Sequence, residues 1–147
     1  VYHLFGHITR ERIEPQFEVD TGDGFHPLTM HYKPGPVDRP PPFVAPHQPR
    51  VDFSLWFYGL GFRRGTPAFV TTLVERLCTD PGAMRDLFTE LPEKPAHYVR
   101  IRFWQYRFTS AQEREQTGNW WSRQELASAT PTRCQAIRDR LDLPRLP

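Results

Sequence analysis

The chain has 147 residues, a formal net charge of +2 and a pI near 8.7, which is the length of one domain. Apolar residues make up 38% and charged residues 24%, with 11 Phe, 5 Tyr and 4 Trp, so the composition excludes a disordered tail. Its 16 prolines, about twice the usual share, exclude a bundle of uninterrupted helices.

The basic residues are spread out, with no Lys/Arg run longer than Arg63-Arg64, so no nucleic-acid partner is expected. Apart from Lys33 and Lys94 all of them are arginine, which fits ion-paired surfaces or the codon bias of a GC-rich, bacterial genome. No apolar run approaches the roughly 20 residues that cross a bilayer; the nearest, Phe53 to Phe62, is interrupted by Ser54, Gly59 and Gly61. The start shows no signal-peptide pattern, and Val1 in place of Met marks a cut or processed fragment, so a membrane anchor can lie outside this chain.

In chain order, residues 1–33 read as a β-hairpin region. Ile13, Phe17 and Val19 alternate with Glu14, Gln16 and Glu18, the pattern of a half-buried strand. Thr21-Gly22-Asp23-Gly24 supplies the turn, and Leu28, Met30 and Tyr32 form the return, with Pro15 and Pro27 drawing it towards a sheet edge. Residues 34–50 hold seven prolines and read as an extended, polyproline-like strap packed across the domain. The segment 51–92 is helical. One helix starts near Asp52 and runs through Leu60; a second starts at Thr66-Pro67, with Thr66 as N-cap; a third starts at Asp80-Pro81, with Met84, Leu87, Phe88 and Leu91 on its apolar stripe.

Residues 97–127 form a second hairpin. In it Val99, Ile101 and Phe103 oppose Arg100, Arg102, Trp104 and Tyr106; Ser110 to Gly118 is a polar loop, and Trp120 to Leu126 is the return strand. The tail, 128–147, has helical spacing between Thr132 and Leu141. The predicted class is α+β: an antiparallel β-sheet from hairpins near 13–32 and 98–126, with two to three short helices between 51 and 92.

Motifs of catalysis are missing: there is no G-x-S-x-G elbow, P-loop, dinucleotide fingerprint or H-E-x-x-H helix. Neither cofactor nor metal is expected: His3 and His7 would ligate a metal only on a helix, and of the group around the turn, Asp20, Asp23, His26 and His31, the two aspartates read as turn residues. Cys78 and Cys134 can pair in an oxidising compartment or remain buried thiols. The aromatic–arginine ladder from Arg100 to Arg107 can be a stacking platform or a core strand with arginine stems laid over rings.

One stretch is more specific. Tyr32 to Phe57 reads YKPGPVDRPPPFVAPHQPRVDFSLWF, and its Pro46-His47-Gln48-Pro49-Arg50-Val51-Asp52-Phe53 and Leu55-Trp56-Phe57 segments resemble the lipase maturation factor family. Glu93 to Arg100, Tyr106-Arg107-Phe108-Thr109 and Trp120-Trp121-Ser122-Arg123 continue the resemblance in order, which covers roughly residues 1 to 125. Val51, Phe53, Leu55 and Ala96 depart conservatively from that pattern, and the tail beyond Leu126 does not follow it.

The resemblance implies a non-catalytic, chaperone-like accessory domain that assists folding or assembly of secreted lipases, with a lipase client as protein partner. It implies a membrane-anchored parent whose domain faces the periplasm or exterior, or the endoplasmic-reticulum lumen. Candidate binding residues are His47, Gln48, Arg50, Asp52, Trp56, Trp104, Tyr106, Trp120, Trp121 and Arg123, with Phe57 a further aromatic candidate for client contact. Two alternatives stand beside it: an enzyme or a sugar- or lipid-binding module using a groove beside the proline strap and lined by His47, Arg50 and Trp104, and a structural domain supporting a membrane portion.

Overall fold

A computed structural model describes residues 12–43 and 50–147. The strands are β1 (Arg12–Asp20), β2 (Phe25–Pro27), β3 (Tyr98–Phe108), β4 (Trp121–Ser128) and β5 (Thr132–Arg133). They form one antiparallel sheet in the order β2-β1-β3-β4, with β5 also pairing with β3. The helices are α1 (Arg50–Gly61), α2 (Ala68–Thr79), α3 (Ala111–Thr117) and α4 (Cys134–Arg140), with 3-10 turns at Phe62–Arg64 and Pro81–Met84. The α+β class and the two hairpins are as expected. What joins the hairpins is the non-local β1–β3 pairing, nine residues long from Arg12↔Tyr106 to Asp20↔Tyr98.

The core lies on one face of that sheet. Ile13, Phe17, Val19, Val99, Ile101 and Phe103 pack there against Leu55, Tyr58, Val70, Leu73, Leu77 and Ile137. Rings lock the layers together: Phe62 stacks on Phe103 at 4.1 Å, while Tyr58 meets Phe103 and Phe17 meets Phe88 edge to face.

Several expectations need correcting. β1 is not half-buried: Glu14 and Glu18 are each only 4% exposed, because arginines and the strap cover the second face. The return strand of the first hairpin stops at Pro27. Beyond it the backbone of residues 29–31 bonds instead to 87–89 (Thr89 N–H to the Thr29 carbonyl, 2.7 Å; His31 N–H to the Leu87 carbonyl, 3.0 Å). That pairing, and the Met30–Phe88 bridge, draw residues 87–89 away from the predicted third helix, which shrinks to the 3-10 turn Pro81–Met84.

The strap is not extended throughout. Its described part, 34–43, turns tightly, with Arg39 N–H bonded to the Pro36 carbonyl. The N-cap of α2 is Pro67 rather than Thr66, and no side chain caps it. The polar loop after β3 is helix α3, held by a reciprocal capping box between Ser110 and Glu113 and ended by Gly118 in the left-handed region.

Pro15 is tolerated because the main-chain groups of Ile13, Pro15 and Phe17 point away from β3, towards an edge that β2 covers only near Phe17. Helix α1 closes that edge, and a Cβ on Gly59 would overlap the Ile13 carbonyl. Gly59 is therefore a packing residue, not the helix terminator its position suggests. Cys78 and Cys134 form a disulfide that ties the end of α2 to the start of α4 across 56 residues of chain.

Two stability predictions follow from this geometry. Gly59→Ala should lower the urea midpoint, since overpacking costs about 1–3 kcal/mol and outweighs the ~1 kcal/mol gained in helix propensity. At Gly61 a Cβ meets nothing within 4 Å, so Gly61→Ala should be neutral or stabilising; equal behaviour of the two variants would contradict the packing of α1 on β1. Reducing the disulfide should cost about 4 kcal/mol on the chain-entropy relation. Calorimetry with and without reductant reads this directly, and an unchanged transition temperature would refute it.

Candidate interaction surface

The second face of the sheet gathers four of the ten predicted residues, and it uses them internally. Trp104 donates its indole N–H to Gln16 at 2.9 Å, and Arg123 lies 4.1 Å over its ring. Arg100 pairs with Glu18 at 2.7 Å while its guanidinium sits 4.0 Å above Phe25. Tyr106, buried, donates to the Gly35 carbonyl at 2.6 Å and accepts from Arg123 at 3.1 Å; burial pushes its phenol up, with Arg123 opposing. Trp121, 2% exposed, meets Tyr106 edge to face, stacks on Phe108 and donates to the Arg39 carbonyl. Trp120 is half-buried beneath Arg114. Four predicted binding residues, Trp104, Tyr106, Trp121 and Arg123, thus hold the sheet and the strap together.

The strap is pinned from both sides. The Val37 carbonyl accepts the main-chain N–H groups of Trp120 and Trp121. The guanidinium of Arg39 donates to the carbonyls of Met30 (2.8 Å), His31 (2.7 Å) and Lys33 (3.2 Å), replacing a ladder that the prolines cannot make. Arg39 was not singled out in the sequence; its only signal there is a charged residue inside a proline run.

Where the strap begins, charges are buried. Lys33, 5% exposed, lies 3.0 Å from Glu14, whose other oxygen takes Arg12 at 2.8 Å. Asp52, 1% exposed in the first turn of α1, has no hydrogen-bond partner for either carboxylate oxygen among the described residues. Burial pushes its carboxyl up, the Lys33 ammonium opposing and Glu14 adding to the rise. Asp52 is therefore an interior group and not a surface contact. His47 and Gln48 lie outside the described residues, and Arg50 is exposed at the start of α1.

Helix α1 supplies the surface that the sheet does not. Its inner side buries Leu55, Tyr58 and Gly59, yet its outer side is also apolar. Phe53 (46% exposed), the half-buried Trp56 and Phe57 (54% exposed) form a ring cluster, with centroid distances of 5.1 Å for Phe53–Phe57 and 4.8 Å for Trp56–Phe57. A cavity of about 500 Å³ opens beside it, lined by Phe57, Tyr58, Arg64, Thr66 and Phe69 among others. Neither Arg50 nor Trp104 lines it, so this is not the groove expected beside the strap. Trp56 and Phe57 are the predicted aromatics on this ridge. Phe53 escaped selection because a helix apolar on both sides does not say which side is covered.

Among the described residues no group of three or more His, Cys, Asp and Glu is placed to hold a metal ion, and no helix is long and apolar enough to cross a membrane. Asp20 acts as a turn residue, accepting the N–H groups of Gly22 and Gly24.

Asp52→Asn separates an interior neutral carboxyl from an ion pair. A carboxyl raised by folding favours the folded state once protonated, so its stability contribution is present below the unfolded value near 3.9 and is lost as pH rises. The variant should equal or exceed the parent in melting temperature at pH 7, the gain vanishing below about pH 4. A loss at pH 7 that disappears in acid would mean Asp52 is a stabilising carboxylate. Tyr106→Phe should cost about 1–2 kcal/mol and speed amide exchange at Trp120 and Trp121, and unaltered exchange there would contradict its pinning role.

Comparison with known proteins agrees with the motif resemblance. Residues 1–131 match the family described as the lipase maturation factor C-terminal domain. The chain is 32% identical to lipase maturation factor 2 of Homo sapiens over 139 residues, 89% of this chain and 19% of that protein. It is 33% identical to lipase maturation factor 2 of Gallus gallus over 111 residues, 71% of this chain and 16% of that protein. Against lipase maturation factor 1 of Homo sapiens the identity is 24% over 141 residues, 88% and 25% of the two chains. No solved structure matches. The chain spans about a fifth of the length of the curated relatives it matches, and it belongs to the lipase maturation factor family as its C-terminal domain.

Proposed function

We propose that this domain serves lipase maturation as a non-catalytic, chaperone-like module, holding a secreted lipase while it folds or assembles. The observation that carries the reading is the exposed cluster of Phe53, Trp56 and Phe57 on α1. Aromatic rings left in water on a rigid helix are the side chains that anchor protein interfaces. Covering the exposed parts of the two phenylalanines removes about 200 Å² from water, worth about 5 kcal/mol before association costs. That favours weak, reversible capture, which suits a partner that must release its client.

The parent is read as membrane-anchored through segments outside this chain, with the domain facing the periplasm or exterior, or the endoplasmic-reticulum lumen. The disulfide between Cys78 and Cys134 supports an oxidising compartment.

The test is a refolding assay with a secreted lipase from the same source. The domain should raise the recovered activity above that with an inert protein. Phe53→Ser/Phe57→Ser, with an unchanged circular dichroism spectrum, should bring it back to the control. Equal recovery with both proteins would overturn the role of the ridge, and no recovery with either would overturn the domain's sufficiency as a client binder.

A further inference from the structure

The ridge does not end at Phe57. A second cavity, of about 310 Å³, lies on the other side of the Tyr58 and Thr66 side chains, which line both. The second cavity continues over Val74, Val99, Ile101 and Ile137, with Thr71 and Thr132 at its polar margin. An apolar floor with hydroxyls along it, running from α1 past α2 to β3 and α4, suits an extended chain better than a compact ligand.

The charges around it are one-sided. Arg63 and Arg64 are exposed and have no ion-pair partner among the described residues, and Arg64 lines the first cavity. The acid within the first turn of α1, Asp52, is buried away from this surface. In the second cavity Glu75 is paired with Arg140. The groove therefore offers apolar contact together with one guanidinium in its lining, Arg64, and a second, Arg63, beside it over the Phe62 ring, neither ion-paired among the described residues.

We infer that this groove binds an extended apolar polypeptide segment flanked by acidic residues, such as an unfolded stretch of client chain. The inference rests on the client-binding reading and names the chemistry of the partner at the same site. A bilayer would reward the convex ridge but leave the adjoining concavities empty, so a polypeptide is the better occupant.

The experiment uses fluorescent peptides and the whole chain. A short peptide alternating Leu and Phe with Ser and ending in three Asp is compared, by anisotropy, with the same peptide ending in three Lys. The Asp peptide should bind about tenfold more tightly, and added salt should narrow the difference. Arg63→Glu/Arg64→Glu should reverse the preference, and Phe57→Ser should weaken both peptides. Equal binding of the two peptides, or a preference untouched by the arginine reversal, would overturn the inference. So would flotation with phosphatidylglycerol vesicles in the absence of peptide binding.

Failure here is separable from failure of the client reading. Lipase recovery without peptide charge selectivity removes the acidic partner and leaves the chaperone role. Charge-selective peptide binding without lipase recovery does the opposite.

Discussion

A strand buried on both faces with carboxylates along one of them is the constraint on which the rest of this domain depends. Glu14 and Glu18 are taken out of water by the arginines and the strap that cover the second face of β1, and unpaired buried charge is costly. Each is met from a different part of the chain: Glu14 by Arg12 and Lys33, Glu18 by Arg100 and Arg102. Meeting Glu14 brings Lys33 inside and fixes where the strap begins. Meeting Glu18 commits the arginines of β3 to the second face, where their planes also cover Phe25 and Trp104. The arginine-rich composition acts here through ion pairs and ring contacts within the fold.

The strap shows how a proline-rich segment is held without a ladder. Proline removes donors, so the strap is held by its carbonyls, which accept from the Tyr106 hydroxyl, the Trp121 indole and the N–H groups at the start of β4, and by its own Arg39 guanidinium, which donates to the carbonyls of Met30 and His31. The tyrosine and tryptophans that resemble binding residues in the sequence are therefore bound already, to their own chain. Phe43 and Phe108 also stay exposed, but among the described residues it is the outer side of α1 that gathers exposed rings into a cluster, Phe53 and Phe57 beside the half-buried Trp56.

The legibility of the fold follows the range of the forces involved. β3, β4, α1 and α2 were readable because period, proline and glycine act locally. The β1–β3 pairing was not, although both strands were identified, because nothing in Glu14 or Glu18 announces that an arginine far along the chain will cover it. The third helix failed for the same reason: residues 87–89 have good helical spacing, but the backbone of 29–31 needed partners and took them. The Ser110–Glu113 capping box was present in the sequence, yet a helix with no buried residue carries no apolar stripe to draw attention to it. Of the candidate site, Trp56 and Phe57 were legible and Phe53 was not. Cys78 and Cys134 became a pair only once α2 and α4 were adjacent.

The central claim is that the domain meets its client through α1 while the sheet's aromatic face looks inward. Hydroxyl-radical footprinting of the domain, alone and with a folding lipase, tests this on the side chains themselves. The account predicts protection at Phe53, Trp56 and Phe57, with Trp104 and Trp120 unchanged. Protection at Trp104 and Trp120, with the α1 ridge oxidised as before, would contradict it.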